Sequence, residues 1–202
     1  MKAIILVIST SLFFTHILFS QTNPKTSSKS AAQYDAASID ENIGDDKDII
    51  YFSQLGIDRG TKAETKDIAR EMLEDFTGLL YSMEQLAAAG GKGVRESGLN
   101  STMQEAKSLN DRLNTARGFS FDTTWIGGVI RLHQLNLEGL NEQKATATND
   151  RLKTAVTEAI PVLKRYIQRL STMQKQLIRK DIQEKKEAAR EAAMQEKERK
   201  RK

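Results

Sequence analysis

Cysteine is absent from the 202 residues, and proline and histidine each occur only twice. Without cysteine the chain has no disulfides, no thiolate metal ligands and no thiol chemistry. The two histidines are His16 and His133, so a zinc site with several His or Cys ligands is not available. Few prolines, 29% charged residues and abundant Ala, Leu, Lys and Glu favour helices over strands.

The N-terminus has the three parts of a secretory signal peptide. Met1 and Lys2 supply a positive charge, an apolar run follows over 3–19, and the small residue Ser20 precedes Gln21. A membrane anchor is the alternative, but a span needs about 20 apolar residues, and this run is shorter and has polar breaks. We therefore expect cleavage after residue 20, no transmembrane span afterwards, and a periplasmic, secreted or outer-membrane-associated protein.

Amphipathic segments follow a polar stretch. Residues 21–46 are rich in Ser, Thr, Asp and Ala and are predicted to be a flexible linker, so the bundle is expected over 47–177. Within it, apolar residues recur at steps of three and four, the spacing of one buried helix face. The clearest stripe comprises Ile68, Ala69, Met72, Leu73, Phe76, Leu79, Leu80, Met83, Leu86 and Ala87. An all-α antiparallel four-helix-type bundle with a short extra helix is the natural fold, and we place Phe76 and Leu80 at its centre.

Capping residues predict where the helices begin. Capping-box pairs are expected to start the second and third helices, and single polar caps the fourth and fifth. In chain order the caps are Thr61 with Glu64, Ser101 with Gln104, Asp122, and Asn149 or Asp150. The first helix, expected over 47–60, contains Gly56 and Gly60, each of which costs about 1 kcal/mol in a helix interior. Pro161 lies inside the fifth helix and should kink it.

The C-terminal part of the chain, 178–202, is predicted to be a charged helical tail with coiled-coil character. From Gln174 to Lys202 there are 11 Lys or Arg against 6 Asp or Glu. Such clusters bind anionic surfaces. The candidate binding residues are Lys197, Arg199, Lys200, Arg201 and Lys202. Because export separates the chain from nucleic acid, an anionic envelope surface or another envelope protein is the expected partner.

Several short motifs occur in a fixed order between Ile49 and Leu177. They are MLEDF at 72–76, GFSFD at 118–122 followed by Trp125, then His133, then IPVL at 160–163. In order and spacing they resemble the bacterial exported proteins grouped as domain of unknown function 4142, which are labelled outer membrane proteins. The resemblance implies a ferritin-like bundle.

The chain departs from that family at two positions. In the family a histidine typically follows the residue matching Asp75, where this chain has Phe76, and another follows the proline motif, where it has Tyr166. Only His133 keeps its imidazole. The resemblance leaves Asp75 and His133 as the remaining metal-site candidates. However, a di-iron centre also needs Glu-x-x-His motifs, and Ile130 stands three residues before His133. We therefore expect no metal and no other cofactor.

These observations predict a non-enzymatic envelope protein that acts by binding or structural interaction. A Ser-His-Asp triad through His133 lacks a serine in a strand-to-helix elbow and a glycine-rich oxyanion loop. Two alternatives stay open: a metal-binding or metal-storing ferritin-like bundle, and an envelope-surface tether through the basic tail.

Overall fold

The structure is a computed structural model that describes residues 25–90 and 101–201. Within these ranges the chain forms α1 (Lys25–Arg59), α2 (Ala63–Ala89), α3 (Ser101–Thr115), α4 (Gly118–Thr146) and α5 (Asp150–Arg199), with no strand. The all-α fold class is thereby confirmed. None of the helices in the described ranges has both the length and the apolarity needed to cross a bilayer. The predicted signal peptide lies outside the described residues.

Four long helices form an antiparallel bundle, and the shorter α3 packs against α4 and α1. The turn after α1 contacts the start of α4, because the Thr61 backbone N–H donates to Asp122. The turn before α5 contacts the first part of α1, because the Thr148 N–H donates to Asp35. These contacts set α1 and α4 in opposite directions. The ion pairs of Glu71 with Arg169 and Glu64 with Lys180 do the same for α2 and α5.

The core runs the length of the bundle and contains the residues of the predicted apolar stripes. Its largest fully buried side chains are aromatic: Trp125, Tyr166, Phe52, Phe76 and Phe121. The Trp125 indole N–H donates to the Phe52 carbonyl of α1 at 2.6 Å, which satisfies its one polar atom. Phe76 is fully buried, whereas Leu80 is only partly buried, so its predicted central position is wrong.

The flexible linker predicted for 21–46 is wrong for 25–46, because α1 begins at Lys25. This part of α1 packs into the bundle through the buried residues Ile39 and Ile43. Asp35, also buried, accepts hydrogen bonds from the backbone N–H groups of Thr148 (3.1 Å) and Asn149 (2.9 Å). Its carboxylate therefore fastens the α4–α5 turn, a role that a flexible linker does not have.

Two of the predicted caps are wrong and one is confirmed. The Thr61–Glu64 capping box is absent, because the N-cap of α2 is Lys62, whose side chain makes no capping bond. Asp122 is not a cap either, since α4 already begins at Gly118. Asn149 caps α5 as predicted, and its side chain accepts from the N–H groups of Arg151 (2.9 Å) and Leu152 (3.2 Å).

Asp122 instead fastens the α1–α2 turn. It is fully buried in the first turns of α4 and accepts from both the backbone N–H (3.0 Å) and the hydroxyl of Thr61. The Thr61 hydroxyl therefore serves Asp122 and not the start of its own helix. Asp35 and Asp122 thus hold turns at opposite ends of the α1–α4 pair.

Gly56 is required by close packing of α1. A Cβ at this position would lie 2.7 Å from the Trp125 ring and 2.9 Å from Ala69. We expect Gly56→Ala to destabilise the fold by up to about 2 kcal/mol, because overpacking a core costs about 1–3 kcal/mol and the helix gains only about 1. The matched control is Gly78→Ala in α2, where a Cβ meets nothing within 4 Å and stability should rise by about 1 kcal/mol. Denaturant titration measures both changes, and a stabilised Gly56→Ala protein would contradict the packing argument.

Candidate functional site

His133 lies on α4 in the centre of the bundle and is fully buried. Its Nδ1 is 2.9 Å from the Val129 carbonyl, to which it must donate, so Nε2 is the unprotonated nitrogen. Among the described residues Nε2 has no hydrogen-bond partner. Burial lowers the pKa of His133 to about 4, which keeps the imidazole neutral at physiological pH.

Two aromatic rings enclose this imidazole. The ring centres of Phe76 and Tyr166 lie 5.2 Å and 5.9 Å from that of His133, both in edge-to-face orientation. Phe76 and Tyr166 are themselves 6.1 Å apart. The structure therefore gathers at one point the three positions at which the sequence resemblance expects histidines. With two of them aromatic, the imidazole is a packed core residue that contacts no solvent.

Asp75 serves a different set of partners. Its Oδ2 accepts from the Tyr166 hydroxyl at 2.5 Å and pairs with the Arg165 guanidinium. Burial and the Asp75 carboxylate raise the pKa of Tyr166, so this hydroxyl stays a donor. One turn further along each helix, both Nη atoms of Arg169 donate hydrogen bonds to the Glu71 carboxylate. Asp75 therefore contacts the Tyr166 hydroxyl and Arg165, whereas His133 bonds to the Val129 carbonyl.

Residues 25–90 and 101–201 contain no group of three or more His, Asp or Glu side chains placed to hold a metal ion. Asp75 and His133, the two metal candidates from the sequence, both contact Tyr166. They lie on the two sides of its phenol, the carboxylate at the hydroxyl and the imidazole against the ring. The described geometry therefore does not join them as ligands.

A family model described as Domain of unknown function (DUF4142) matches residues 20–173. The chain belongs to this family. The match includes α1 from Lys25 onward, so the DUF4142 domain contains the stretch that the sequence pattern assigned to a linker. No match to a curated protein or to a solved structure was found.

The C-terminal residues predicted to bind anionic surfaces lie beyond the matched DUF4142 region. Lys197 and Arg199 are exposed in the last turn of α5. Lys200 pairs with Glu196 one turn earlier at 2.6 Å, and Arg201 is exposed. Lys202 lies outside the described residues. Four of the five candidate residues are thus carried at the end of a helix that projects from the DUF4142 bundle.

Sequence reasoning missed a polar cavity of about 370 Å³ at the other end of the DUF4142 bundle. It lies between the first part of α1, the start of α3 and the second half of α4. Its wall is made largely of hydroxyl, carboxamide and carboxylate side chains, including Ser38, Asn42, Thr102, Asn136, Glu138 and Gln143. The sequence feature that corresponds to this cavity is the run of polar residues before Asp48. A polar run of this kind is equally typical of a linker, so it did not indicate a cavity.

We expect the stability of the DUF4142 bundle to fall between pH 7 and pH 4 by about 2–3 kcal/mol through His133 alone. The folded pKa of about 4 is below the ordinary 6.5, so the unfolded chain takes up the proton first and acid favours unfolding. Comparing wild type with His133→Leu in denaturant titrations over this range isolates the effect. Asp48, whose pKa burial raises to about 6, acts in the opposite direction in both proteins and cancels in the difference.

An NMR titration measures the pKa of His133 in the folded protein directly. Since His16 falls within the predicted signal peptide, a protein that begins at Gln21 shows a single histidine resonance. That resonance should stay in its neutral position down to about pH 5. A midpoint near 6.5 would contradict the buried neutral imidazole.

Proposed function

We propose that this chain is a non-enzymatic protein of the cell envelope that acts by binding, and that the projecting end of α5 docks it to an anionic surface. The proposal is carried by one observation, the continuation of α5 well beyond the bundle core. The last buried residue of α5 is Leu177, yet the helix runs on to Arg199.

The projecting segment, residues 178–199, has the character of an interaction element. At 1.5 Å per residue this helical segment is about 30 Å long. Its sparse apolar side chains contact little, and Ile178, Ile182 and Met194 are 44%, 47% and 64% exposed. The i,i+4 ion pairs of Asp181 with Lys185 and Glu196 with Lys200 support the helix without a core. Basic residues concentrate toward its tip.

The non-enzymatic part of the proposal is supported by the surroundings of the groups that chemistry would need. His133, the only imidazole in the described residues, is sealed among aromatic side chains and out of reach of a substrate. The nearby carboxylate Asp75 is occupied by Arg165 and the Tyr166 hydroxyl. Neither arrangement presents a general base or nucleophile to a cleft.

Co-sedimentation with lipid vesicles tests the surface docking. The protein should bind vesicles that contain phosphatidylglycerol, remain free with neutral phosphatidylcholine, and be released by high salt. Replacing all five basic residues of 197–202 by Gln should weaken binding by more than about tenfold, since each contributes about 1 kcal/mol near an anionic membrane.

The matched control removes five positive charges from the bundle surface. It replaces by Gln the exposed residues Lys107, Arg131, Lys144, Lys153 and Lys164. This variant has the same net charge as the tail variant and should keep most of the binding. Equal losses in the two variants would show a general charge effect and would contradict docking through α5.

Export is a separate part of the proposal, supported by the N-terminal pattern. Protein recovered from the envelope fraction should begin near Gln21 when its N-terminus is sequenced. Envelope protein that still begins at Met1 would overturn cleavage, and protein confined to the cytoplasm would overturn export.

A further inference from the structure

The projecting segment of α5, residues 178–199, has an apolar seam with heptad spacing. Positions 178, 182, 185, 189 and 192 recur at steps of four, three, four and three, which places them on one side of the helix. These positions hold Ile178, Ile182, Lys185, Ala189 and Ala192, and the stem of Lys185 is itself apolar. All five residues are exposed, so the seam is open to solvent along its length.

Charges of opposite sign lie on the two sides of this seam. With Ile182 and Ala189 as a positions of the heptad, the e and b positions form one flank and the g and c positions form the other. Within 178–199, every charged residue of the first flank is basic: Arg179, Lys186, Arg190 and Lys197. Every charged residue of the second flank is acidic: Asp181, Glu184, Glu191 and Glu198. The segment therefore has a basic flank and an acidic flank that are separated by the apolar seam.

Two copies of this segment complement each other in one orientation. When two helices lie side by side in parallel about a two-fold axis, the basic flank of each copy faces the acidic flank of the other. In an antiparallel pair the like flanks would meet, basic against basic and acidic against acidic, and would repel. Charge complementarity therefore identifies the partner of the seam as the same segment of a second copy in parallel orientation.

We propose that the projecting segment pairs with that of a second copy of this chain as a short parallel coiled coil. Ile178 and Ile182 supply the larger apolar side chains of the seam, and alanine continues it toward the C-terminus. Because only two isoleucines per copy are buried in the pair, we expect a weak dimer with a dissociation constant on the order of 100 µM. The pairing does not depend on the proposed docking to an anionic surface, although it places both basic tips at the same end.

Single cysteines introduced into the full mature chain test the parallel arrangement, because the sequence contains no other cysteine. In a parallel pair, position 189 of one copy faces position 189 of the other, close enough for a disulfide, which needs Cα atoms less than about 7 Å apart. At roughly 100 µM protein with oxidised glutathione, A189C should form disulfide-linked dimers at least about tenfold faster than M194C. Met194 is the matched control, because it is exposed on the opposite side of the same helix. Equal rates for the two variants would overturn the proposal.

Charge inversion tests the complementarity of the flanks by sedimentation velocity without lipid. K186E/R190E makes the basic flank largely acidic, and E184K/E191K does the reverse, so each variant alone should remain monomeric where wild type dimerises. An equimolar mixture of the two variants should associate again, because their flanks are complementary.

The matched control for charge inversion is K153E/K164E, which makes the same change in net charge at exposed positions of the bundle. It should dimerise as wild type does. The proposal is overturned by a wild type that stays monomeric up to roughly 1 mM, by a mixture of the inverted variants that does not associate, or by an equal loss of dimer in K153E/K164E and K186E/R190E.

Discussion

Phe76→Ala is expected to lower the free energy of unfolding by about 3–5 kcal/mol. Phe76 is fully buried on α2 and packs against the rings of His133 and Tyr166. Truncation leaves a cavity that neither neighbour can fill, because His133 is held by the Val129 carbonyl and Tyr166 by Asp75. Denaturant titration at neutral pH, with the slope checked for constancy, measures the loss.

Tyr81→Ala in the same helix provides the control. Tyr81 is 63% exposed, so removal of its ring should change stability by no more than about 0.5 kcal/mol. If Phe76→Ala were as mild as Tyr81→Ala, the predicted stripe of α2 would not face the core. The packing around His133 described above would then be wrong as well.

Asp122→Ala should lower the free energy of unfolding by about 3–4 kcal/mol. The Thr61 backbone N–H and hydroxyl each lose a hydrogen bond to a charged acceptor, worth about 1.5–3 kcal/mol apiece. The α1–α2 turn would lose its contact with α4. Thermal and denaturant unfolding both report this change.

Asp122→Asn should cost less, since the carboxamide keeps one acceptor oxygen for Thr61. Asp111→Ala on the exposed surface of α3 is the control and should be nearly neutral. A small loss for Asp122→Ala, similar to that for Asp111→Ala, would show that the turn is held by other contacts.

The sequence predicted helices correctly where apolar spacing or a capping residue gave a strong local pattern. The apolar stripe of α2 spans 68–87 in the sequence, and its buried members Ile68, Met72, Phe76 and Met83 keep that register in the structure. Asn149 was recognisable as a cap because its side chain bonds to N–H groups only two and three residues away. The partners in such an interaction lie within one helical turn of each other, so the sequence alone suffices to predict it.

The first half of α1 could not be predicted in this way. Its buried face mixes Ile39 and Ile43 with Asp35, Ser38 and Asn42. A buried polar residue is stable there only when another part of the chain supplies a hydrogen-bond partner. The partners of Asp35 and Asn42 lie at least 41 positions away in the sequence. Without knowledge of those partners, the segment has the composition of a linker.

The sequence by itself determined the helical class, the register of the main apolar faces, the family and the unequal distribution of charge along the chain. Only the tertiary structure decided what the polar residues do. In the folded protein Asp122 holds the α1–α2 turn instead of capping a helix, and Asp35 holds the α4–α5 turn instead of lying in a linker. Asp75 pairs with Tyr166 and Arg165, and a polar cavity lies beside Asn136. The physical reason is the distance along the sequence over which each interaction acts. Apolar burial repeats every three to four residues and can be recognised locally, whereas a buried polar group needs a hydrogen-bond partner that only the fold brings to it.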